Sequence, residues 1–374
     1  MKAKVAIERC GEYDAEKLYR TLKSAAQAAD FPNAKGKTVL LKPNIVMDAT
    51  PEKAITTHPL FLEAAIRIVR EWGVSRILVG DSPGLQGPNF TARNSRLGET
   101  AKRCGAEWVD FARSSMELNC PEGKVQRRFT VSKVLQSVDW VISLPKLKTH
   151  QLMYYTGAMK NIFGFILSAA KSSYHVRYPS REDFAAMIVD LNVAVKPVFA
   201  FMDAVIAMEG PGPSAGYPKQ VGLVMASSNL LAMDIAASSI IGYPPQMIPV
   251  IRDALSRGIW LKDLPEIEYP LLKPGEVMIK DFIKIPFKKS ENQLLDFVIP
   301  RPLKKLVKNQ SPLPVIDDKV CVRCGDCVKI CASSAMRLEG EGTARQVKID
   351  KSRCIRCYCC HEICPLKAIA VSKR

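Results

Sequence analysis

The chain has 374 residues, twelve Cys, and 54 Lys and Arg against 37 Asp and Glu, for a formal net charge of +17. Its 47% hydrophobic and 24% charged residues are those of an ordinary globular protein, which excludes disordered and collagen-like classes. The length predicts one large and one small domain, no run reaches the ~18 apolar residues of a membrane span, and Met1 to Cys10 holds no apolar signal region, so secretion is not expected.

From Val5 to about Ile285, strand-like and helix-like segments alternate. Residues 5–8 read as a strand. Residues 14–29 have helical apolar spacing, with Asp14 placed to cap the first turn. A strand at 38–41 follows, then a helix at 59–72 with Pro59 in its first turn and Gly73 ending it. Strands are predicted at 77–80, 106–110 and 140–144, with a short helix at 131–137. A helix at 184–195, strands at 198–202 and 222–226, and a helix at 230–241 complete the region. Such alternation predicts an α/β domain with a mostly parallel sheet. A small α+β domain follows it.

Polar motifs follow four of these strands. They are Lys42-Pro43-Asn44, Gly80-Asp81-Ser82, Lys146-Leu147-Lys148-Thr149-His150, and Asp203 leading into Glu209-Gly210-Pro211-Gly212-Pro213. In open α/β sheets the carboxyl edge of the strands is where ligands bind, so the convergence marks a candidate site. Lys42, Lys146, Lys148 and Lys160 together would favour an anion, phosphate or carboxylate; the alternative is that some are solvated surface lysines. Asp81 and Asp203 could hold a divalent metal, bind a substrate hydroxyl or cap a helix. Asn44 and Asn161 could contact the ligand, and His150 beside two lysines is a candidate acid–base group. His58 could instead bond the backbone of the helix it precedes. No Walker motif, Rossmann glycine triplet, zincin motif or nucleophile elbow is present.

Nine of the twelve Cys lie between Cys321 and Cys364. They read Cys321-x2-Cys324-x2-Cys327-x3-Cys331 and Cys354-x2-Cys357-x2-Cys360-x3-Cys364-Pro365, the same spacing twice. Three Cys at this spacing let one tight loop wrap three corners of a cubane, and the fourth corner comes from the other repeat. Cys321, Cys324, Cys327 and Cys364 are therefore expected to hold one 4Fe-4S cluster. Cys354, Cys357, Cys360 and Cys331 are expected to hold a second. A zinc site would use two-Cys knuckles instead. Cys359 is an extra thiol, read as a bystander or as a ligand-swap or redox group. Cys10, Cys104 and Cys120 read as small buried hydrophobes.

The segment from about Pro314 to Lys373 resembles the bacterial two-cluster ferredoxins, with Ala332 where that family usually has Pro. The larger part, roughly residues 3 to 285, resembles the family known as domain of unknown function 362. That resemblance rests on Leu41-Lys42-Pro43-Asn44, Thr56-Thr57-His58-Pro59, Gly80-Asp81-Ser82-Pro83, Pro145-Lys146-Leu147-Lys148-Thr149-His150, Thr156 to Gly164, and Met202-Asp203-Ala204. It implies an architecture, often with a two-cluster module at the C-terminus, and no agreed reaction. The expected organisation is an α/β domain over 1–285, a Pro- and Lys-rich linker over 286–313 and the cluster module over 314–374.

The linker is read as a strap between the two domains or as a basic segment lying on a membrane or an acidic partner. Two functions fit. Electrons could pass through two 4Fe-4S clusters to an anionic or metal-bound substrate in the α/β domain, with Lys148, His150, Asp81 and Asp203 at the chemistry and Lys42, Asn44, Lys160 and Asn161 at the ligand. Alternatively, the chain could be a non-enzymatic carrier whose large domain docks a partner redox complex. Nucleic acid is disfavoured, because the basic residues are dispersed and no binding module is recognisable. A redox partner protein and a cytoplasmic, anaerobic setting are expected from oxygen-labile clusters.

Overall fold

The computed structural model describes residues 2–85, 89–262, 264–287 and 312–372. Most of the linker assigned to 286–313, with its apolar anchors and lysines, lies outside the described residues.

A nine-stranded sheet organises the large part of the chain. Its parallel core runs Glu107–Trp108, Arg76–Val79, Thr38–Pro43, Trp140–Leu144 and the first residues of Phe199–Glu209. These strands read as near-continuous apolar runs because helices cover both faces. Leu40 belongs to one apolar core, while Val39 and Leu41 belong to the other, as strand alternation requires. Antiparallel strands Tyr217–Ser227 and Ala6–Arg9 extend the sheet beyond Phe199–Glu209.

Helix Ala15–Ala28 begins where Asp14 accepts the Lys17 N–H at 2.8 Å. Helix Pro59–Glu71 has Pro59 at its first turn, and His58 Nδ1 accepts the Leu60 N–H at 3.3 Å. The backbone-binding reading of His58 therefore holds.

The Lys146–His150 motif is itself a fully buried strand, parallel to Phe199–Glu209 and antiparallel to Tyr154–Thr156. Pro145 lacks an N–H to donate, so one long strand is split into two at that point. The helix expected at 131–137 is a helical turn only over Lys133–Ser137. Val131 belongs to strand Arg128–Ser132, which pairs with Ser115–Asn119 and buries Phe129 and Val131 on one face. The segment around Lys171 forms a further helix, Ser168–Arg177.

In the small module, Leu313–Ile316 pairs with Ile369–Ser372 and Met336–Glu339 pairs with Gln346–Ile349, both antiparallel. Short helices Asp326–Lys329 and Cys359–Ile363 lie between them, giving the expected α+β ferredoxin-like form. Among the described residues, no helix is long and apolar enough to cross a membrane.

Candidate functional site

The strands Thr38–Pro43 and Trp140–Leu144 run in register, with Lys42 opposite Ser143, so their carboxyl ends open on one edge. Lys42 is fully buried there, with its Nζ 2.8 Å from Asp81 Oδ1. Burial pushes the Lys42 pKa down and Asp81 opposes that shift. Lys42 also donates to Asn161 Oδ1 at 3.2 Å. Asp81 accepts the Ile45 and Ser82 N–H groups, each at 2.8 Å. A Cβ on Gly164 would sit 2.1 Å from Asp81 Oδ1 and 2.3 Å from Lys42 Nζ, so only glycine lets the chain pass over this pair.

Asp203 is occupied in the same way. It accepts from Lys146 Nζ at 2.9 Å, Tyr13 Oη at 2.8 Å and the His58 N–H at 2.9 Å. Tyr13 stacks on His58 with ring centroids 3.6 Å apart. Desolvation brings the His58 pKa down to about 4, against the pull of Asp203. Protein donors thus satisfy both carboxylates that were candidates for a metal.

A cavity of about 100 Å³ lies between the sheet edge and helix Cys359–Ile363 of the small module. Six of the eight candidate residues of the α/β domain line it: Lys42, Asn44, Asp81, His150, Lys160 and Asn161. Lys148 and Asp203 do not. Lys148 is buried behind the wall, donates to the Ile55 carbonyl at 2.7 Å, and has a pKa held well below the usual lysine range by desolvation.

Lys171, His175, Cys359 and Glu362 also line the cavity, and the sequence did not place them there. Lys171 donates to the Ser82 carbonyl, and burial lowers its pKa to about 7. His175 stacks on Phe184 with centroids 4.4 Å apart, and burial lowers its pKa to about 3. His150 Nδ1 accepts the Leu152 and Met153 N–H groups at 3.2 and 3.3 Å. Its proton is therefore on Nε2, which lies 3.4 Å from Glu362 Oε1.

Lys160 and Asn161 come from the short helix Ala158–Asn161. Buried Asp234 fixes its start by accepting the Ala158 and Met159 N–H groups at 2.6 and 3.0 Å and Tyr155 Oη at 3.0 Å. Desolvation raises the Asp234 pKa to about 7. Asn161 then donates to the Lys42 carbonyl and to Ser143 Oγ, both at 3.0 Å, locking the helix to the strand edge.

In the small module, one pocket is lined by Cys321, Cys324, Cys327 and Cys364. Another is lined by Cys331, Cys354, Cys357 and Cys360. Each set combines three Cys of one repeat with the fourth of the other. The backbone repeats as well. Arg323 and Arg356 have φ of 58° and 56°, Gly325 and Tyr358 have 85° and 63°, and Ser334 and Lys367 have 49° and 56°. These left-handed residues turn each loop around its sulfurs. The Ala368 N–H donates to Cys364 Sγ at 3.2 Å, the kind of bond that stabilises a ligating thiolate. Among the described residues no three His, Cys, Asp or Glu converge as they would on a single ion. Sulfurs around a cubane stand farther apart than ligands of one metal, so this donor set fits an iron–sulfur group. Cys359 lies on the partition, lining both the second Cys pocket and the cavity.

The proline-rich stretch after Asp203 docks the module. Ser214 Oγ donates to the Glu362 carbonyl at 2.6 Å, and Lys367 Nζ donates to the Gly216 carbonyl at 3.0 Å. His361 is buried, with Nε2 3.0 Å from the Pro211 carbonyl.

The family model described as 4Fe-4S dicluster domain matches residues 320–368, which gives the chain iron–sulfur binding and an iron–sulfur redox function. The Thylakoid-associated protein sll1697 of Synechocystis sp. is 28% identical over 314 residues, 83% of this chain and 95% of that protein. Among solved structures, the lactate racemase apoprotein from Thermoanaerobacterium thermosaccharolyticum has a TM-score of 0.39 at 13% identity, covering 61% of this chain and 54% of that one. A protein from Thermotoga maritima has a TM-score of 0.38 at 13% identity, covering 60% and 57%. The chain thus spans little more than half of either solved structure. Residues 39–239, more than half of the sequence and the part that builds the strand edge and most of the cavity wall, match the family model Domain of unknown function (DUF362), and the chain belongs to that family.

Proposed function

We propose that the protein carries electrons to a small anionic substrate held in the cavity between its two parts. The observation that carries this reading is the position of Cys359: the thiol beside the ligand Cys360 forms part of the cavity wall. Two 4Fe-4S clusters, when bound, would supply one-electron transfer. The chain's own residues supply the rest. Lys160 and Lys171 provide positive charge, His150 offers an Nε2–H, and the docked helix Cys359–Ile363 forms one wall of the site. Lys42 and Asn161 shape the wall, and Asp81 and Asp203 hold lysines rather than substrate. The setting is cytoplasmic.

Electrons would enter from a partner protein at the opposite side of the module. Cys324 is exposed there, and Val320, Val322 and Leu366 are 41%, 63% and 46% exposed near the first Cys set. That apolar face also favours the second reading, a carrier that exchanges electrons only with proteins.

One experiment separates the two. The full chain is reconstituted anaerobically, reduced, and mixed with a panel of small organic anions while cluster absorbance is followed. Reoxidation by a panel member, slowed in His150→Ala and Lys160→Met, supports delivery to the cavity. Reoxidation by protein acceptors alone, unchanged in both variants, overturns it in favour of the carrier.

A further inference from the structure

The cavity holds polar groups that the protein leaves without partners, and they are of both kinds. Lys160 makes no hydrogen bond or ion pair among the described residues, so its ammonium offers three donors. His150 Nε2–H offers another, since both backbone bonds of the ring are made at Nδ1. On the acceptor side, Asn44 Oδ1 is buried with no partner, in a side chain that is otherwise fixed by donating to Asn161 at 3.2 Å. Asn44 itself is only 9% exposed. Glu362 Oε1 is likewise buried without a hydrogen bond, although His150 Nε2 stands 3.4 Å from it, a pair that a ligand between them would bridge. A buried polar atom left unpaired costs about 1–3 kcal/mol, so two orphan acceptors facing one cavity call for a ligand that donates.

A plain anion would satisfy only the donors. The charged side chains around the cavity are Lys42, Lys160 and Lys171 against Asp81 and Glu362, and with both His neutral and the Lys171 pKa lowered to about 7 the net charge is at most one positive. A single carboxylate, alone or with an ammonium beside it, suits that modest charge, whereas a phosphate carries more than one negative charge at neutral pH and overshoots it. A volume of about 100 Å³ admits a ligand on the order of ten heavy atoms.

We infer that the cavity binds a small carboxylate that also carries a hydroxyl or amino group. The carboxylate lies toward Lys160 and His150, and the donor group lies toward Asn44 Oδ1 and Glu362 Oε1. This deepens the proposed electron delivery by naming the substrate class, and it rests on that reading only for its consequence, not for the binding itself.

The test is calorimetric titration of the anaerobically reconstituted full chain with glycolate, glycine and acetate, and with inorganic phosphate as a control. Glycolate or glycine should bind about tenfold more tightly than acetate, because only these fill an orphan acceptor. Lys160→Met should weaken all three carboxylates. Asn44→Leu should remove the advantage of glycolate and glycine over acetate. Iron content and the unfolding midpoint of each variant confirm that it is folded. Equal affinity for glycolate, glycine and acetate overturns the inference, as does absence of binding by glycolate and glycine, or tighter binding of phosphate. Binding of glycolate or glycine without reoxidation of the reduced chain by any anion leaves the ligand class standing and removes electron delivery. Reoxidation by anions lacking a donor does the reverse.

Discussion

Glu362 Oε1 of the cluster module lies 3.4 Å from His150 Nε2 of the α/β domain. The contact joins residues 212 positions apart, and one belongs to the helix that carries Cys360. Neither domain alone builds the cavity. Its floor is the strand edge and its lid is the module.

The buried pair Lys42–Asp81 tests whether that floor is structural. Lys42→Met leaves a buried carboxylate without its counter-charge, and urea unfolding should show a loss of about 3–5 kcal/mol. Adding Asp81→Asn should recover part of the loss, since the amide oxygen can still accept one of the two N–H groups that Asp81 holds. A double variant less stable than Lys42→Met would argue against the pair as the cause.

Gly164 makes a steric prediction. Gly164→Ala places a methyl 2.1 Å from Asp81 Oδ1 and 2.3 Å from Lys42 Nζ, side-chain ends held in place by their own ion pair and by the Ile45 and Ser82 N–H groups. A destabilisation of at least ~1–3 kcal/mol is expected in the same unfolding assay. A neutral substitution would show that the segment over Lys42 is free to shift.

Iron counting separates the cysteines. Cys360→Ala and Cys364→Ala each remove one corner from a different set and should each lose about half of the bound iron if each set holds a four-iron cluster. Cys359→Ala should retain the full complement, because Cys359 is additional to the four Cys of its pocket. Iron loss in Cys359→Ala would make it a ligand.

His175 sets a pH dependence. Its folded pKa, about 3, lies below the unfolded value of 6.5, so the unfolded chain binds the extra proton. The stabilisation is fully present above about pH 6.5 and is lost as pH falls towards 3, at up to ~1.4 kcal/mol per pH unit. His175→Phe keeps the stack on Phe184 and removes the titration. Between pH 7 and 5 its Tm should fall less steeply than that of the parent chain. Parallel Tm curves would rule out His175 as a contributor.

Much of the site was legible in the sequence because its signals are local. A Pro or Gly after an apolar run ends a strand, and parallel strands end on one side, so Lys42, Asn44 and Asp81 could be gathered without coordinates. Lys148 misled for the same reason. Its motif follows a strand, but Pro145 only interrupts that strand, and the Lys148 ammonium is taken up by the Ile55 carbonyl instead of facing the cavity. Asp234 gave no sign of its role, since a carboxylate capping a helix more than seventy residues away leaves no local pattern.

The sequence by itself determined the two sets of four Cys, because ligand spacing and the left-handed residues between the ligands are properties of short loops. It also determined the alternating architecture, because apolar periodicity is local. Only the tertiary structure decided which charged groups are already paired and which face the cavity. Lys146 with Asp203 and Lys42 with Asp81 are closed pairs, while Lys160 lines the cavity. Burial and pairing depend on which distant segments pack together, and desolvation makes every buried charge answer to those neighbours rather than to its place in the chain.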